Sequence, residues 1–364
     1  MRHTRLLFLG FLLLLASCGK DSTPAPAEAG FSREAFLKFT VDYWITPGFT
    51  KLESDCDSLV LAAEGFRQSP GEASLAKLRQ NWKTAFLTWQ RLNAFQFGPA
   101  GEDGIRKSLF EEIGLFPVRR TGIDQILQTG QFNMADFNRD TRGFLCLDYL
   151  LFAGTDADIL PRLSQIHASN YLVAVATHIR DQVKRVRNTW ASSYGKTFLE
   201  QKGTEVGSST SLVYNSFVKS YEGLKNFKVA LPLGKRPGQT STDTTLLEAC
   251  YSGLAMEAIQ AHFQGISDYW NGGGFHAKIQ GPGFSTYLRS VEGGPALVVS
   301  TQNQISVVQT TMTQVNGRTN SLFAAADPSL ENLNTELQKL TRYFKSDMSS
   351  ILGIAITFSS NDGD

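Results

Sequence analysis

A stripe of apolar side chains at helical spacing, between residues 75 and 95, restricts the fold of this chain more than any other feature. Its members recur three and four positions apart, which is the pattern of a helix that buries one face against a core. The stripe comprises Leu75, Leu78, Trp82, Ala85, Phe86, Trp89, Leu92 and Phe95. Similar periods follow along the chain, most clearly between residues 163 and 190. We therefore predict an all-α fold.

Residues 1–30 have the features of a leader followed by a tether. Arg2 and Arg5 precede an apolar run at residues 6–15, which is too short to span a bilayer. Small residues then lead directly into Cys18. This order predicts a bacterial lipoprotein signal at residues 1–17, lipidation of Cys18 and a flexible tether at residues 18–30. The alternative is an ordinary cleaved signal with an incidental cysteine.

A lipid on Cys18 would hold the folded body, from about residue 31, in the cell envelope, on a periplasmic or outer-membrane face. The chain is nearly neutral, with 35 basic and 34 acidic residues, and we predict no nucleic-acid partner. Cys56, Cys146 and Cys250 form no Cys-x-x-Cys pair, which argues against a thiolate zinc site. Their apolar surroundings favour buried free thiols, with one disulfide as the alternative.

Asp148 is the charged side chain in the otherwise apolar segment 143–152. The segment is predicted to be a buried helix, where a carboxylate is costly unless it is paired or hydrogen-bonded. Arg142 stands immediately before the segment and is the near candidate for a partner. We therefore expect Asp148 either to be a satisfied packing group, with Arg142 as that partner, or to mark a functional site.

The same segment resembles the signature of the imelysin family, Gly-x-His-x-x-Glu followed by Tyr-Leu-Leu. Gly143 matches the glycine, and residues 149–151 match the trailing apolar run. Leu145 stands where the family has histidine, and Asp148 stands where it has glutamate. A histidine and a carboxylate three positions apart share a helix face and can hold a metal together. Leucine offers no lone pair, so Asp148 is at best the remaining metal residue of this motif.

Other segments resemble conserved blocks of the same family, so the resemblance covers almost the whole chain after the tether. They are residues 81–82, 89–91, 97–99, 113–117, 122–124, 232–236 and 356–364. The resemblance implies two four-helix-bundle-like halves packed side by side. Small polar residues near 195–207 place the boundary, giving halves at residues 31–200 and 201–364. It also implies an envelope protein tied to iron or other metal uptake, with a historical label of metallopeptidase.

Two functions from different classes follow. The first is a non-catalytic, lipid-anchored binding or accessory protein of iron or haem acquisition, held at the membrane through Cys18 and working with uptake components. Its ligand or cofactor would be iron, haem or another divalent metal. The second is a metal-dependent peptidase of the imelysin type, although the sequence lacks a His-Glu-x-x-His pair and a Gly-x-Ser-x-Gly elbow. The candidate ligand-binding residues, expected between the two halves, are Asp148, Arg142, Asp124, Gln90 and Arg236.

Two weaker patterns concern metal ligation and a helix start. His178 and Asp181 lie three positions apart, but the basic residues around them predict a solvated helix face. Thr245 and Glu248 fit a capping box, which predicts a helix running from there through His262.

Overall fold

The computed structural model describes residues 30–104, 107–315 and 319–358. Across these ranges the chain forms helices joined by turns and irregular segments, and β-pairing is limited to isolated bridges such as that between Gly273 and Gln280. The predicted all-α fold is therefore confirmed. Within the same ranges, no helix has both the length and the apolar character needed to cross a bilayer. The predicted signal, Cys18 and nearly all of the tether lie outside the described residues.

The helices cover most of the described chain. Those before residue 201 are α1 (Arg33–Thr40), α2 (Thr46–Gln68), α3 (Glu72–Arg91), α4 (Leu109–Ile113), α5 (Arg120–Thr129), α6 (Phe144–Phe152), α7 (Asp156–Leu163), α8 (Ile166–Thr189) and α9 (Gly195–Glu200). Those after it are α10 (Ser209–Gly223), α11 (Ala255–Trp270), α12 (Phe284–Arg289), α13 (Gly294–Gln314), α14 (Thr319–Ala324), α15 (Pro328–Thr341) and α16 (Met348–Leu352). Turns of π-helix extend α1, α8, α10 and α15 at Val41–Ile45, Trp190–Tyr194, Leu224–Ala230 and Arg342–Asp347.

In the first half, α2 packs against both α3 and α8, and α6 packs against α3 and α8. The predicted stripe of α3 is buried as expected, with the rings of Trp82 and Phe86 stacked 5.0 Å apart. Helix α6 begins after Gly143, whose φ is +91°. A Cβ at that position would lie 2.5 Å from the carbonyl oxygen of Ile113. Glycine therefore permits α6 to start against the end of α4.

The second half is built from α10, α11, α13 and α15 with their π turns. Two buried tyrosines on α10 tie it to the end of the chain. The hydroxyl of Tyr214 donates to the carbonyl of Phe344 at 2.8 Å, and that of Tyr221 donates to the carbonyl of Leu337 at 2.5 Å. Buried hydroxyls are costly unless hydrogen-bonded, so these contacts fix α10 against α15.

The predicted helix from Thr245 through His262 is wrong at its start. Residues Thr244–Leu246 make a single 3-10 turn, because the carboxylate of Asp243 accepts the backbone N–H of Thr245 at 2.9 Å. An irregular segment follows, and α11 begins only at Ala255. Glu248 therefore lies in a loop and caps no helix.

The two halves meet through α3 and α11, which pack closely. A Cβ on Gly265 of α11 would lie 2.3 Å from the carbonyl oxygen of Arg91 on α3, so this glycine permits the contact. The N-terminal helix α1 also lies on the second half, where the Phe31 ring stacks on Tyr287 at 4.2 Å. Buried apolar side chains of both halves form one cluster. The division at residues 200 and 201 stays a prediction.

The cysteines of the body are packing groups. Cys56, Cys146 and Cys250 are free, and the first two are buried. Burial raises the pKa of both the Cys146 and the Cys250 thiol to about 12. These thiols stay protonated at neutral pH, so they are poor nucleophiles and poor metal ligands.

Candidate functional site

The carboxylate of Asp148 binds backbone amides of the second half of the chain. Its Oδ2 accepts the N–H of Tyr251 at 3.1 Å, and its Oδ1 accepts the N–H of Ser252 at 3.0 Å. The residue is 2 % exposed. The prediction that Arg142 is its partner is wrong, because the Arg142 guanidinium binds Glu112. Asp148 thus joins α6 to the irregular segment before α11.

Burial raises the pKa of Asp148 to about 6, against the hydrogen bonds from Ser252 and Tyr251, which lower it. The carboxylate is therefore held by the uncharged donors of Tyr251 and Ser252, at an energetic cost to its ionised form.

The signature positions do not fit a metal. Leu145 is 2 % exposed within the core and has no donor atom. Both oxygens of Asp148 already accept backbone amides. Zinc sites use three or four protein ligands, and the described part of the chain holds no group of three His, Cys, Asp or Glu side chains that could share an ion.

Arg142 belongs to a buried cluster around Glu112. Its Nη2 lies 2.7 Å from Glu112 Oε2, and Arg139 Nε lies 2.7 Å from Oε1. His178 Nε2 stands 3.4 Å from the same carboxylate, so its predicted solvated position is wrong, and Asp181 pairs instead with Arg180 at 2.8 Å.

Although burial opposes the ionisation of Glu112, hydrogen bonds from His178 and Arg139 and the charge of Arg142 lower its pKa to about 2. The cluster fastens α4, α8 and the turn Arg139–Thr141 that precedes α6. Arg142 also lines a cavity of about 240 Å³, on the side of α5. Its role is therefore to position the start of α6.

Gln90 lies in a second buried network, which joins the two halves. Its Nε2 donates to Glu248 Oε1 at 3.0 Å, and its Oε1 accepts from Lys228 and, at 3.1 Å, from Asn93. Lys228 Nζ stands 2.7 Å from Glu248 Oε2. Burial lowers the pKa of Lys228, while Glu248 opposes that shift. Buried ions are tolerated only when paired and hydrogen-bonded, as they are here.

This network forms part of the wall of a cavity of about 360 Å³ between the two halves. The first half contributes Asn93, Gln96, Ser108, Phe110 and Phe116, and the second contributes Ser220, Phe227, Lys228, Glu248 and His262. Most of the accessible surface of the wall is apolar, although many of the side chains that line it are polar. Pockets of small-molecule sites have this composition.

Of the other predicted residues, Arg236 lies near this cavity, whereas Asp124 contacts a side chain that does not line it. The Asp124 carboxylate accepts the hydroxyl of Tyr149 at 2.8 Å, and the Tyr149 ring meets Tyr251 edge-on at 5.2 Å. The Arg236 guanidinium lies 5.9 Å from the centre of the Phe227 ring, at the cavity wall. The structure therefore places Gln90 and Arg236 near the cavity and Arg142 elsewhere.

Sequence reasoning missed Lys228, Glu248, Gln96 and His262. The signal that marked Asp148, a charge inside an apolar run, also marks Lys228 in residues 227–231 and Glu248 in residues 246–250. No comparable signal marks Gln96 or His262, because uncharged polar residues are common on helices and turns.

Comparisons with known proteins identify the family and the fold. The imelysin family model matches residues 45–343. The iron-regulated protein A of Synechococcus elongatus is 26% identical over 182 residues, which are 50% of this chain and 45% of that protein. The match thus spans less than half of that relative's length.

Two solved structures are similar in fold. A protein described as an iron-regulated protein A precursor, from Parabacteroides distasonis, superposes with a TM-score of 0.75 at 16% identity, over 90% of this chain and 98% of that one. An imelysin-like protein from Psychrobacter arcticum gives a TM-score of 0.73 at 18% identity, over 92% and 100% of the two chains. At these identities the likeness establishes the fold.

Proposed function

Because this chain belongs to the imelysin family, which confirms the resemblance seen in its sequence motifs, we propose that it is a lipid-anchored envelope protein that binds a ligand as an accessory to iron acquisition. Two similar proteins are named iron-regulated protein A, which supports the link to iron. The predicted lipid on Cys18 would keep the body at a membrane face.

The hydrogen bonding of the Asp148 carboxylate supports a non-catalytic role most directly. In a metal-dependent peptidase the signature acid would ligate an ion and leave a coordination position open for water. Here both carboxylate oxygens accept backbone amides, and the position of the histidine is a buried leucine. The ligand site that the fold offers is the cavity between the halves.

Purified protein from residue 30 onwards separates binding from peptidase activity. We expect no cleavage of an unstructured protein substrate such as casein, with or without a chelator. Cleavage that a chelator abolishes, and that is lost in Asp148→Ala but kept in an exposed control such as Asp156→Ala, would reject the non-catalytic role and establish the peptidase alternative.

The link to iron is tested in the source organism. Deletion of the coding sequence should lower iron accumulation under iron limitation, and the intact chain should restore it. Equal iron content in the deleted and restored strains would reject the link to iron acquisition, whatever the cavity binds.

The anchor is tested by fractionation. Cys18→Ala should move the protein from the membrane fraction to the soluble fraction, because the lipid is attached at that thiol. Cys250→Ala, at a half-buried cysteine of the body, is the control and should stay with the membrane. A Cys18→Ala protein that stays with the membrane would refute the anchor.

A further inference from the structure

The buried charges in the wall of the cavity between the halves balance. Of the three charged residues that line it, Lys228 and Glu248 neutralise each other at 2.7 Å with each side chain 9% exposed, and Lys219 is exposed to solvent. Burial, and secondarily the charge of Lys228, lowers the pKa of His262 well below its usual value, so the imidazole is neutral. A charged ligand would lose its hydration there without gaining a free counter-charge.

The exposed Lys219 has neighbouring charges of both signs. Lys219 is exposed, and together with Lys107 it faces Glu102, which pairs with Lys107 at 3.1 Å. Glu111 stands beside them and accepts the N–H of Ser108. Among the described residues, Lys219 is therefore not an isolated cation, because acidic side chains lie near it.

Aromatic rings supply the apolar surface. Phe110 and Phe227 line the cavity and remain 39% and 55% exposed, although large aromatic side chains are normally buried. Phe116 is a third ring of the wall. Rings that keep exposed faces at a cavity can stack on a flat ligand. The volume, about 360 Å³, lies at the lower end of the range of about 300–1,000 Å³ for small-molecule pockets.

Gln96 is one of the polar side chains of the described residues that are left unsatisfied. It lines the cavity, and both its Oε1 and its Nε2 are buried without a hydrogen-bond partner. His262 also lines the cavity, with Nε2 on the Ser220 hydroxyl at 2.7 Å and Nδ1 without a partner. Unpaired buried polar atoms are rare and costly. A glutamine amide offers one acceptor and one donor side by side, so its complement is a planar edge with a donor next to an acceptor.

We propose that this cavity binds a small, flat, uncharged molecule with an aromatic body and an adjacent donor and acceptor, as in an aromatic lactam. The rings of Phe110, Phe116 and Phe227 take the body, and the Gln96 amide takes the edge. This inference rests on the proposed role of the cavity as the ligand site and is independent of the link to iron.

Three probes of similar size test it by titration calorimetry on purified protein from residue 30 onwards. They are 2-quinolone, an uncharged lactam; quinoline, which lacks the donor; and quinoline-2-carboxylate, which is charged. We expect saturable binding of 2-quinolone at pH 7.5, and at least about tenfold weaker binding of the other two.

Gln96→Leu should weaken 2-quinolone about tenfold and quinoline by clearly less, since only the lactam uses both amide atoms. Gln201→Leu, at an exposed glutamine away from the cavity, is the matched control and should change neither. Phe227→Ala, at a half-exposed ring, should weaken the binding of both uncharged probes. This variant still tests the proposal if Gln96→Leu does not fold.

Stronger binding of the carboxylate than of the lactam, equal binding of the lactam to the wild type and Gln96→Leu, or no saturable binding of 2-quinolone would each overturn the proposal. None of these outcomes bears on the effect of the deletion on iron accumulation, so the two proposals fail separately.

Discussion

The buried carboxylate of Asp148 should give the protein a distinctive pH dependence of stability. Its pKa rises from the ordinary 3.8 to about 6 on folding. Between these values the folded state keeps a proton that the unfolded state has released. The linkage relation then requires the free energy of unfolding to fall as pH increases through this window. Each pH unit between the two pKa values corresponds to about 1.4 kcal/mol, so the full effect is about 3 kcal/mol.

Asp148→Asn removes the titration and isolates this effect. The asparagine oxygen can accept one of the two amides, while its NH₂ faces the other, so the variant is destabilised by about 1–3 kcal/mol at low pH. As pH rises from about 4 to about 7, the wild type should lose about 2.4 kcal/mol relative to the variant, which is less than the full effect because the unfolded-state carboxyl is still partly protonated at pH 4. Other titrating groups cancel in this difference.

Urea unfolding followed by circular dichroism at pH 4, 5, 6 and 7 measures the difference. Asp158→Asn is the control of sign, because hydrogen bonds from the Thr155 hydroxyl and N–H lower the pKa of that exposed carboxylate. For Asp158, the stability of the wild type relative to Asp158→Asn should increase as pH rises. A flat difference for Asp148, or one that grows with pH as a cation or metal partner would require, would refute the reasoning.

Three further substitutions probe the contacts around the site. Lys228→Met should lower the free energy of unfolding by about 3–5 kcal/mol because Glu248 is left charged and buried, and adding Glu248→Gln should restore most of that stability. Equal stabilities of the single and double variants in urea would contradict this expectation. Glu112→Gln should lower the free energy of unfolding by a similar amount at pH 7, because Arg142 loses its buried counter-charge. This destabilisation should shrink as pH falls from about 4.5 towards about 2, where the wild-type carboxylate itself protonates, and a destabilisation independent of pH in that window would be evidence against the cluster. Gly143→Ala should lower the melting temperature strongly, because its φ is +91° and the new methyl would overlap a carbonyl of α4; an unchanged melting temperature would show that α6 starts differently.

The helical elements could be predicted from the sequence because burial of one face leaves a periodic record. The stripe of α3 and the span of α8, observed at Ile166–Thr189 with its π turn, both follow from spacing alone. The start of α11 could not be predicted in this way. Thr245 and Glu248 have the spacing of a capping box, but the Asp243 carboxylate accepts the Thr245 N–H instead. Glu248 forms an ion pair with the distant Lys228, which the local pattern does not reveal.

The hydrogen-bond partners of Asp148 also could not be predicted from the sequence. Backbone amides carry no side-chain signature, and those of Tyr251 and Ser252 lie more than a hundred residues along the chain. Arg142 was the obvious local candidate, but Glu112 takes it. Sequence analysis identified an acid that had to be satisfied, and only the fold identified the donors.

The most direct test of the account is a crystal structure of the protein from residue 30 onwards, grown with Mn²⁺ and measured at the manganese absorption edge. The account predicts the Asp148 carboxylate within hydrogen-bond distance of the Tyr251 and Ser252 amides, with no anomalous density beside it. An anomalous peak at coordination distance from Asp148 would contradict it.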